Sequence, residues 1–225
     1  SVPVGPHSWT SILRSCETAV SAAGALLAGE RAVYSLCRPS GHHARADRAT
    51  GFCYINNTAT AAQYLRQRYN KVAILDVDAH HGDGTQQIFY KRPDILTISI
   101  HGDPSNYYPF YTGYAHETGN GAGEGYNLNL PLPHGLGADA MTAAIDKAST
   151  KIRDFGAEAL VVALGYDAHA LDPIGVLKLQ ARDFTTIGQQ TRALGLPTLI
   201  VQEGGYAIDV IGDCLQAFLE GLGDA

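Results

Sequence analysis

The sequence has 225 residues, of which 45% are hydrophobic and 17% are charged, a composition typical of a folded globular enzyme and not of a disordered chain. Its formal net charge is −6, and no cluster of lysine and arginine could follow a phosphate backbone, so we expect no direct contact with nucleic acid. No apolar run approaches the roughly 18 residues of a membrane-spanning helix, and the first residues do not read as a signal peptide. The four cysteines form no C-x-x-C pair, so we expect reduced thiols and a cytoplasmic location.

The predicted elements alternate between strand and helix along most of the chain. Short apolar runs rich in β-branched residues predict the strands, and alanine-rich amphipathic stretches predict the helices. In chain order they are a helix at 11–27, a strand at 33–37, a helix at 57–69, strands at 72–77 and 95–100, a helix at 138–155, a strand at 160–164, a helix at 181–194, a strand at 198–202 and a helix at 208–222. Apolar runs of this kind are typical of strands that are buried on both faces. The alternation therefore predicts an α/β fold, a parallel β-sheet flanked by helices on both faces.

The stretch 101–133 fits neither period. It is rich in tyrosine, glycine, proline and asparagine, and long loops inside a compact domain tend to be functional. We therefore predict a functional loop here. Its glycine-rich part, residues 119–125, does not join a strand to a helix as a dinucleotide-binding site would, so we interpret it as loop as well.

Polar clusters follow four of the predicted strands. His42 and His43 come after the strand at 33–37, Asp167 comes after 160–164, and Glu203-Gly-Gly-Tyr comes after 198–202. The densest cluster, Asp76-Val-Asp-Ala-His-His-Gly-Asp, ends the run that starts at residue 72. Because the carboxyl ends of parallel strands share one edge, where ligands bind, we expect these clusters to meet in space.

The densest cluster predicts a metal site. Alternation along a strand puts Asp76, Asp78 and His80 on one side, and Asp78 and His80 would supply two ligands, with Asp167 as the third. Carboxylate and imidazole ligands suit zinc without any thiolate, and three protein ligands leave a position open for water, as catalytic sites do. Iron(II) or cobalt would also fit. A single aspartate is more often a helix cap or an arginine partner, but two aspartates and two histidines within six residues favour the metal.

The remaining polar residues suggest acid–base chemistry. A histidine such as His42 or His43 can hold a proton near neutral pH, and Asp76 and Asp83 are available to fix the tautomer. Tyr206, after two glycines, could donate a hydrogen bond to an oxyanion. A His-His pair alone is more often a pair of surface residues without a catalytic role. An isolated Gly-Gly-Tyr is more often an ordinary turn. The candidates for aromatic walls of a channel are Phe52 and Tyr108, although most aromatic residues are core.

These residues lie in motifs that resemble the zinc-dependent histone deacetylase and acetylpolyamine amidohydrolase superfamily, which has the arginase/deacetylase fold. From about Val33 to the C-terminus the matching segments are Arg38-Pro-Ser-Gly-His-His-Ala, Gly51-Phe-Cys-Tyr-Ile-Asn-Asn, Asp76-Val-Asp-Ala-His-His-Gly-Asp-Gly-Thr-Gln, Gly165-Tyr-Asp-Ala-His-Ala-Leu-Asp-Pro and Glu203-Gly-Gly-Tyr. The segments beginning at Ser99 and Gly121 look most similar to acetylpolyamine amidohydrolases. Domains of this family normally begin well upstream of Ser1, so we expect the usual N-terminal strand and specificity loop to be absent.

The resemblance implies a role for each matching residue. Zinc would be held by Asp78, His80 and Asp167. His43 would be the general base and His42 its electrostatic partner, and Tyr206 would polarise the acetyl carbonyl. The other implied residues are Asp76 and Asp83 as hydrogen-bond partners of the two histidines, Phe52, Tyr108, Gly51 and Gly204 along the substrate tunnel, and Asp76, Asp78, His80, Ser99 and Ile100 around a structural potassium ion.

The implied function, for a single catalytic domain over residues 1–225, is metal-dependent hydrolysis of acetyl amides. Zinc-activated water, a histidine base and a tyrosine that stabilises the oxyanion would cleave acetylpolyamines or related small cationic N-acetylated amines. Two alternatives stay open: a deacetylase of acetyl-lysine in proteins, and an inactive or truncated module that binds acylated ligands. Relatives of the polyamine type often dimerise, so a homodimer is expected by analogy alone.

Overall fold

The computed structural model of the chain describes residues 4–223, and these residues contain one sheet of six parallel strands with helices on both faces. The strands are β1 (Ala32–Ser35), β2 (Val72–Asp76), β3 (Ile95–Gly102), β4 (Asn127–Leu132), β5 (Ala159–Leu164) and β6 (Thr198–Gln202). The helices are α1 (Ser8–Ala28), α2 (Asn57–Leu65), α3 (Asp83–Phe89), α4 (Ala138–Phe155), α5 (Asp183–Arg192) and α6 (Ile208–Leu222). The predicted α/β architecture, a parallel β-sheet flanked by helices on both faces, is therefore confirmed.

Two apolar clusters hold the sheet between its helices. Strands β2, β3 and β5 are buried along their whole length, because helices cover both of their faces. One cluster packs α4, α5 and α6 on the sheet, with Ile145, Phe184 and Phe218 fully or almost fully buried. The other packs α1 and α2 on the opposite face through alanines and leucines such as Leu26 and Leu65. Small alanine side chains on these helices let them approach the sheet closely.

The order of strands across the sheet is β1-β6-β5-β2-β3-β4. The four strands that end in polar clusters, β1, β6, β5 and β2, are therefore consecutive neighbours, although they are far apart along the chain. All of their pairings are parallel, so their carboxyl ends share one edge. This arrangement confirms the prediction that the clusters meet in space.

One strand and one α-helix were not predicted. The interpretation of 101–133 as loop is wrong for β4, and β3 also continues through His101 to Gly102. β4 has the alternating sequence Asn127-Leu-Asn-Leu-Pro-Leu and lies at the sheet edge beside β3. An edge position tolerates Pro131, which has no backbone N–H to donate. The other strands were predicted from continuous apolar runs, and β4 was missed because polar and apolar residues alternate along it. α3 has only seven residues, which is too short to show a helical period.

Other boundaries shift by a few residues. Helix α2 ends at Leu65, four residues before its predicted end at 69, and α1 begins at Ser8. Helices α4 and α6 have the predicted bounds. Among the described residues, no helix combines the length and the apolar character that a bilayer crossing requires.

Candidate metal centre and active site

Three buried side chains form a compact cluster at the carboxyl ends of β2 and β5. The candidate ligand atoms of Asp78, His80 and Asp167 all lie within 4.8 Å of one another. His80 Nδ1 is 2.8 Å from Asp167 Oδ2 and 3.2 Å from Asp78 Oδ1. The fold thus brings together the three residues that the sequence singled out as metal ligands.

Backbone N–H groups orient the two carboxylates of this cluster. Gly204 N donates to Asp78 Oδ2 at 2.9 Å, and Ala79 N donates to Asp167 Oδ1 at 2.7 Å. A Cβ atom at Gly204 would lie 2.8 Å from Oδ2 of both aspartates. Only glycine therefore allows the β6 loop to approach the cluster this closely.

The electrostatics of the cluster favour a bound cation. Burial and the nearby Asp78 charge raise the pKa of Asp167 to about 7. Burial alone would lower the pKa of His80, but Asp167 and Asp78 raise it to about 10. Within residues 4–223 the charged partners of these aspartates are His42 and His80, with no lysine or arginine among them. A divalent ion could displace the proton of His80, because ion and proton compete for the same imidazole nitrogen. One imidazole nitrogen and two carboxylates suit zinc, and also iron(II) or cobalt.

The two tandem histidines each have their own aspartate. His42 Nδ1 is 2.9 Å from Asp76 Oδ2, and His43 Nδ1 is 2.7 Å from Asp83 Oδ1. Asp83 also accepts a hydrogen bond from Arg45 Nε at 2.8 Å. Because each carboxylate binds Nδ1, it favours the tautomer in which Nδ1 carries the proton and leaves Nε2 free to accept one.

The surroundings shift the pKa values of these histidines in opposite directions. Burial alone would lower the pKa of His42, but the carboxylates of Asp76 and Asp78 raise it well above its ordinary value. Burial and the adjacent His42 lower the pKa of His43 to about 4. The site therefore favours a charged His42 beside a neutral His43.

A buried carboxylate at the end of β6 holds the histidine loop. Glu203 Oε2 accepts hydrogen bonds from Gly41 N at 2.7 Å and His42 N at 3.0 Å, and Oε1 accepts one from Thr58 Oγ1 at 2.7 Å. Burial raises the pKa of Glu203 to about 7. One side chain thus joins the β6 loop, the histidine loop and the first turn of α2.

Replacing Glu203 with alanine is expected to lower kcat for the acetyl-amide hydrolysis that the sequence predicts by about 10-fold or more, because the histidine loop loses its anchor. Glu203→Gln should stay within about threefold of the parent, because its amide oxygen can accept both backbone N–H groups while its NH₂ donates to Thr58 Oγ1. Steady-state kinetics of both variants test this. Glu158→Ala is the matched control, since Glu158 accepts a hydrogen bond from Asn70 N on the exposed surface. Equal losses in the alanine and glutamine variants would contradict the anchoring role.

Tyr206 lies at the mouth of the site. Its side chain lines the main pocket together with His43 and His80, and its ring centre is 5.9 Å from that of Phe52 in an edge-to-face contact. Its exposed fraction is 37%, although it is one of the residues that line the pocket. Burial and the charges of Asp78 and other carboxylates raise the pKa of its hydroxyl well above the ordinary value, so the hydroxyl keeps its proton.

The main pocket has a volume of about 730 Å³ and aromatic walls. Phe52 and Tyr108 both line it, and the Tyr108 ring stands edge-on to His43 with 4.9 Å between ring centres. Tyr108 Oη is also 2.6 Å from Thr50 Oγ1. A Cβ atom at Gly51 would lie 2.3 Å from the His43 ring, so this position must be glycine for His43 to occupy its place. Three of the four predicted tunnel residues, Phe52, Tyr108 and Gly51, thus line one pocket. Gly204 is not among the lining residues and contacts the metal cluster through its N–H instead.

Of the residues expected around potassium, Asp78 and His80 belong to the metal cluster, and Asp76, Ser99 and Ile100 lie on the neighbouring strands β2 and β3. Asp76 and Ser99 are paired in the β2–β3 register, and Ser99 Oγ is 2.8 Å from His101 Nδ1. Ile100 is fully buried. Its aliphatic side chain has no ligand atom, so only its backbone oxygen could bind the ion. Potassium at these residues stays a prediction.

Three site residues were missed by the sequence reasoning. Tyr107 stacks on His80, with ring centres 4.4 Å apart. Glu203 anchors the histidine loop, and Asp172 contacts the backbone at Tyr206. Glu203 and Asp172 lie inside the matching motifs, but a carboxylate that binds backbone N–H groups has no pattern in the sequence.

Comparison with known proteins identifies the family. The histone deacetylase domain matches residues 1–222. The chain belongs to this family. An acetylpolyamine amidohydrolase of Burkholderia pseudomallei is 48% identical over 99% of the chain and 65% of its own length. Acetylpolyamine amidohydrolase 1 of Pseudomonas aeruginosa is 48% identical over 93% of the chain and 61% of its own length.

The structural comparison agrees with the sequence comparison. A crystal structure of the acetylpolyamine aminohydrolase from Burkholderia pseudomallei superposes with a TM-score of 0.97, covering 99% of this chain and 65% of that protein. The HDA15 HD domain, at 32% identity, gives a TM-score of 0.91 and covers 97% of this chain and 64% of that one. The predicted resemblance to the deacetylase family, with acetylpolyamine amidohydrolases among its similar members, is confirmed. The chain spans less than two thirds of the length of these relatives.

Proposed function

We propose that this chain hydrolyses acetyl amides of small amines with a divalent metal, preferably zinc, bound by Asp78, His80 and Asp167. The observation that carries the proposal is the position of this donor cluster beside a pocket lined by His43 and Tyr206. Membership of the histone deacetylase family and similarity to acetylpolyamine amidohydrolases support amide hydrolysis as the reaction class. When bound, the ion would supply Lewis acidity to the acetyl carbonyl and to the attacking water.

His43 is the proposed general base. Its Nδ1 contacts Asp83 Oδ1, so Nε2 is the atom left to accept a proton from water as it attacks the acetyl carbon. The same nitrogen can then return that proton to the departing amine. His42, paired with Asp76, adds positive charge next to the developing negative charge on the carbonyl oxygen.

Tyr206 is the proposed hydrogen-bond donor to that oxygen. Its hydroxyl keeps its proton at neutral pH, because burial and nearby carboxylates raise its pKa. A fixed donor of this kind stabilises the tetrahedral intermediate more than the planar amide, which is the condition for accelerating the reaction.

The pocket walls support a slender substrate with an alkyl chain. Among the described residues that line the pocket, none is an aspartate, glutamate, lysine or arginine. Phe52, Tyr108 and Phe110 present aromatic rings there, and such rings can contact methylene groups or the ammonium of a cationic amine. Acetylated polyamines fit this description, as does the side chain of acetyl-lysine.

A deacetylation assay tests the proposed function and separates its alternatives. Purified, zinc-loaded protein is assayed with N-acetylputrescine and N-acetylspermidine and, in parallel, with acetyl-lysine peptides, each with and without a chelator. We expect turnover of the acetylpolyamines that the chelator abolishes and added zinc restores. Faster turnover of the peptides would favour the protein deacetylase. Absence of turnover on both panels by folded, zinc-containing protein would leave only a module that binds acylated ligands.

Replacing Tyr206 with phenylalanine is expected to lower kcat by about 100- to 1000-fold, because the oxyanion loses one fixed donor. Zinc content should be unchanged, since Tyr206 is not among the candidate ligands. Kinetics and metal analysis of the same preparation measure both quantities. Tyr111→Phe is the matched control, because Tyr111 is 91% exposed. A change in kcat of less than about threefold for Tyr206→Phe would remove the oxyanion role.

A further inference from the structure

Asp172 is a buried carboxylate, 7% exposed, that binds only backbone N–H groups. Its Oδ2 accepts hydrogen bonds from Tyr206 N at 2.7 Å and Ala207 N at 3.2 Å. Its Oδ1 accepts from Ile174 N at 3.0 Å and Gly175 N at 3.1 Å. Among the described residues, no lysine, arginine or histidine forms an ion pair with it. A carboxylate can accept about four hydrogen bonds, and these four backbone donors occupy all of them. The side chain therefore holds two loops together.

Both loops that Asp172 joins face the pocket. One carries Tyr206, and the other carries Ile174, whose side chain lines the pocket as well. The Ile174 carbonyl oxygen accepts a hydrogen bond from Tyr107 Oη at 2.8 Å, and the Tyr107 ring stacks on His80. Asp172 therefore links the Tyr206 backbone to the wall that packs against a candidate metal ligand.

The Tyr206 segment has few other restraints. It lies between Gly205, whose φ is 142°, and α6, which begins at Ile208. The backbone N–H of Tyr206 itself is bound by Asp172 and no other described residue. Its side chain is 37% exposed and its hydroxyl has no hydrogen-bond partner among the described residues. The position of the hydroxyl thus depends on where the backbone is held.

We propose that Asp172 is a positioning residue that fixes Tyr206 for its contact with the substrate carbonyl. This inference rests on the proposed role of Tyr206 and adds a residue that acts through it. Asp172 does not touch the reacting atoms. Displacement of a reacting group by about 1 Å can cost about 100-fold in rate, so the anchor of a half-exposed tyrosine can control turnover.

Asp172→Asn is an informative variant because all four donors are backbone N–H groups, which cannot become acceptors. An asparagine has one oxygen and one NH₂, so in either orientation the NH₂ faces two N–H donors. This differs from Glu203, where the hydroxyl of Thr58 can reverse its direction. Amide hydrogen exchange in peptides that contain Tyr206 and Ala207 should therefore be faster in the variant, with or without metal.

The deciding test is a double-mutant cycle with Tyr206→Phe, using N-acetylputrescine or the best substrate of the assay above. Asp172→Asn is expected to lower kcat by about 10- to 100-fold, with KM changed less than about threefold and zinc content unchanged. In the Tyr206→Phe background the same substitution should cost less than about threefold, because the hydroxyl that it positions is already gone. Asp183→Asn is the matched control, since Asp183 accepts a hydrogen bond from Gln180 N away from the pocket.

The outcomes separate the two hypotheses. If Tyr206→Phe alone keeps full activity, the proposed role of Tyr206 fails. If Tyr206→Phe is impaired but Asp172→Asn costs the same factor in both backgrounds, the positioning role fails and the role of Tyr206 stands. If Asp172→Asn yields no folded protein, Asp172→Ala, which removes the carboxylate without introducing an NH₂ group, enters the same cycle with the same criterion.

Discussion

Replacing Asp167 with asparagine is expected to abolish metal retention and turnover together. The amide oxygen can still accept the hydrogen bond that Ala79 N donates to Oδ1, so the loop keeps its shape. The NH₂ group then takes the place of Oδ2, the atom 2.8 Å from His80 Nδ1, and an amide NH₂ is no metal ligand. Removing a hydrogen-bond partner of a metal ligand lowers metal affinity by up to about 100-fold. Removing a ligand atom itself should cost at least as much, so we expect zinc affinity to fall by at least about 100-fold.

Metal analysis after dialysis, together with kcat, checks this expectation. Asp103→Asn is the matched control, since Asp103 accepts a hydrogen bond from Ser105 N on the exposed surface. It should keep both zinc and activity. If Asp167→Asn retained stoichiometric zinc at parental affinity, the ion would have to bind elsewhere, and the proposed centre would be wrong.

Replacing His43 with alanine is expected to lower kcat by about 100- to 10,000-fold, the usual contribution of a positioned general base. Zinc content should be unchanged, because His43 is not among the candidate ligands. The vacated space, beside Gly51 and Tyr108, opens into the pocket. Added imidazole should therefore restore part of the activity, and more of it at a pH where the free imidazole is neutral.

The control for His43 is His116→Ala, a histidine that is exposed in the loop before β4. It should behave like the parent protein with and without imidazole. Loss of zinc in His43→Ala, or a decrease in kcat of less than about 10-fold, would assign His43 a role other than proton transfer.

Much of the fold could be predicted because its core strands carry continuous apolar runs. β2 and β5 are buried on both faces, and that burial leaves the same signal in the sequence wherever such strands occur. β4 could not be found in this way. It lies at the edge of the sheet that residues 4–223 form, with a partner strand on one side only. Its alternating pattern with Pro131 is stable because β3 pairs with it.

The candidate site was predictable where the side chains themselves have metal-binding chemistry. Asp78, His80 and Asp167 are the kinds of side chain that bind zinc, and each follows an apolar strand. Asp172 and Glu203 were not predictable by the same reasoning. Their partners are backbone N–H groups, which every residue except proline carries, so no pattern in the sequence marks them.

The amino-acid sequence by itself determined which core strands are buried and which of them are followed by aspartate, histidine or tyrosine side chains, because apolar runs and residue types are local properties. Only the tertiary structure decided that β1, β6, β5 and β2 lie side by side. It also decided that Asp172 and Glu203 join loops more than 30 residues apart in sequence. Strand order depends on how helices on both faces of the sheet pack together, and that packing is a property of the whole chain.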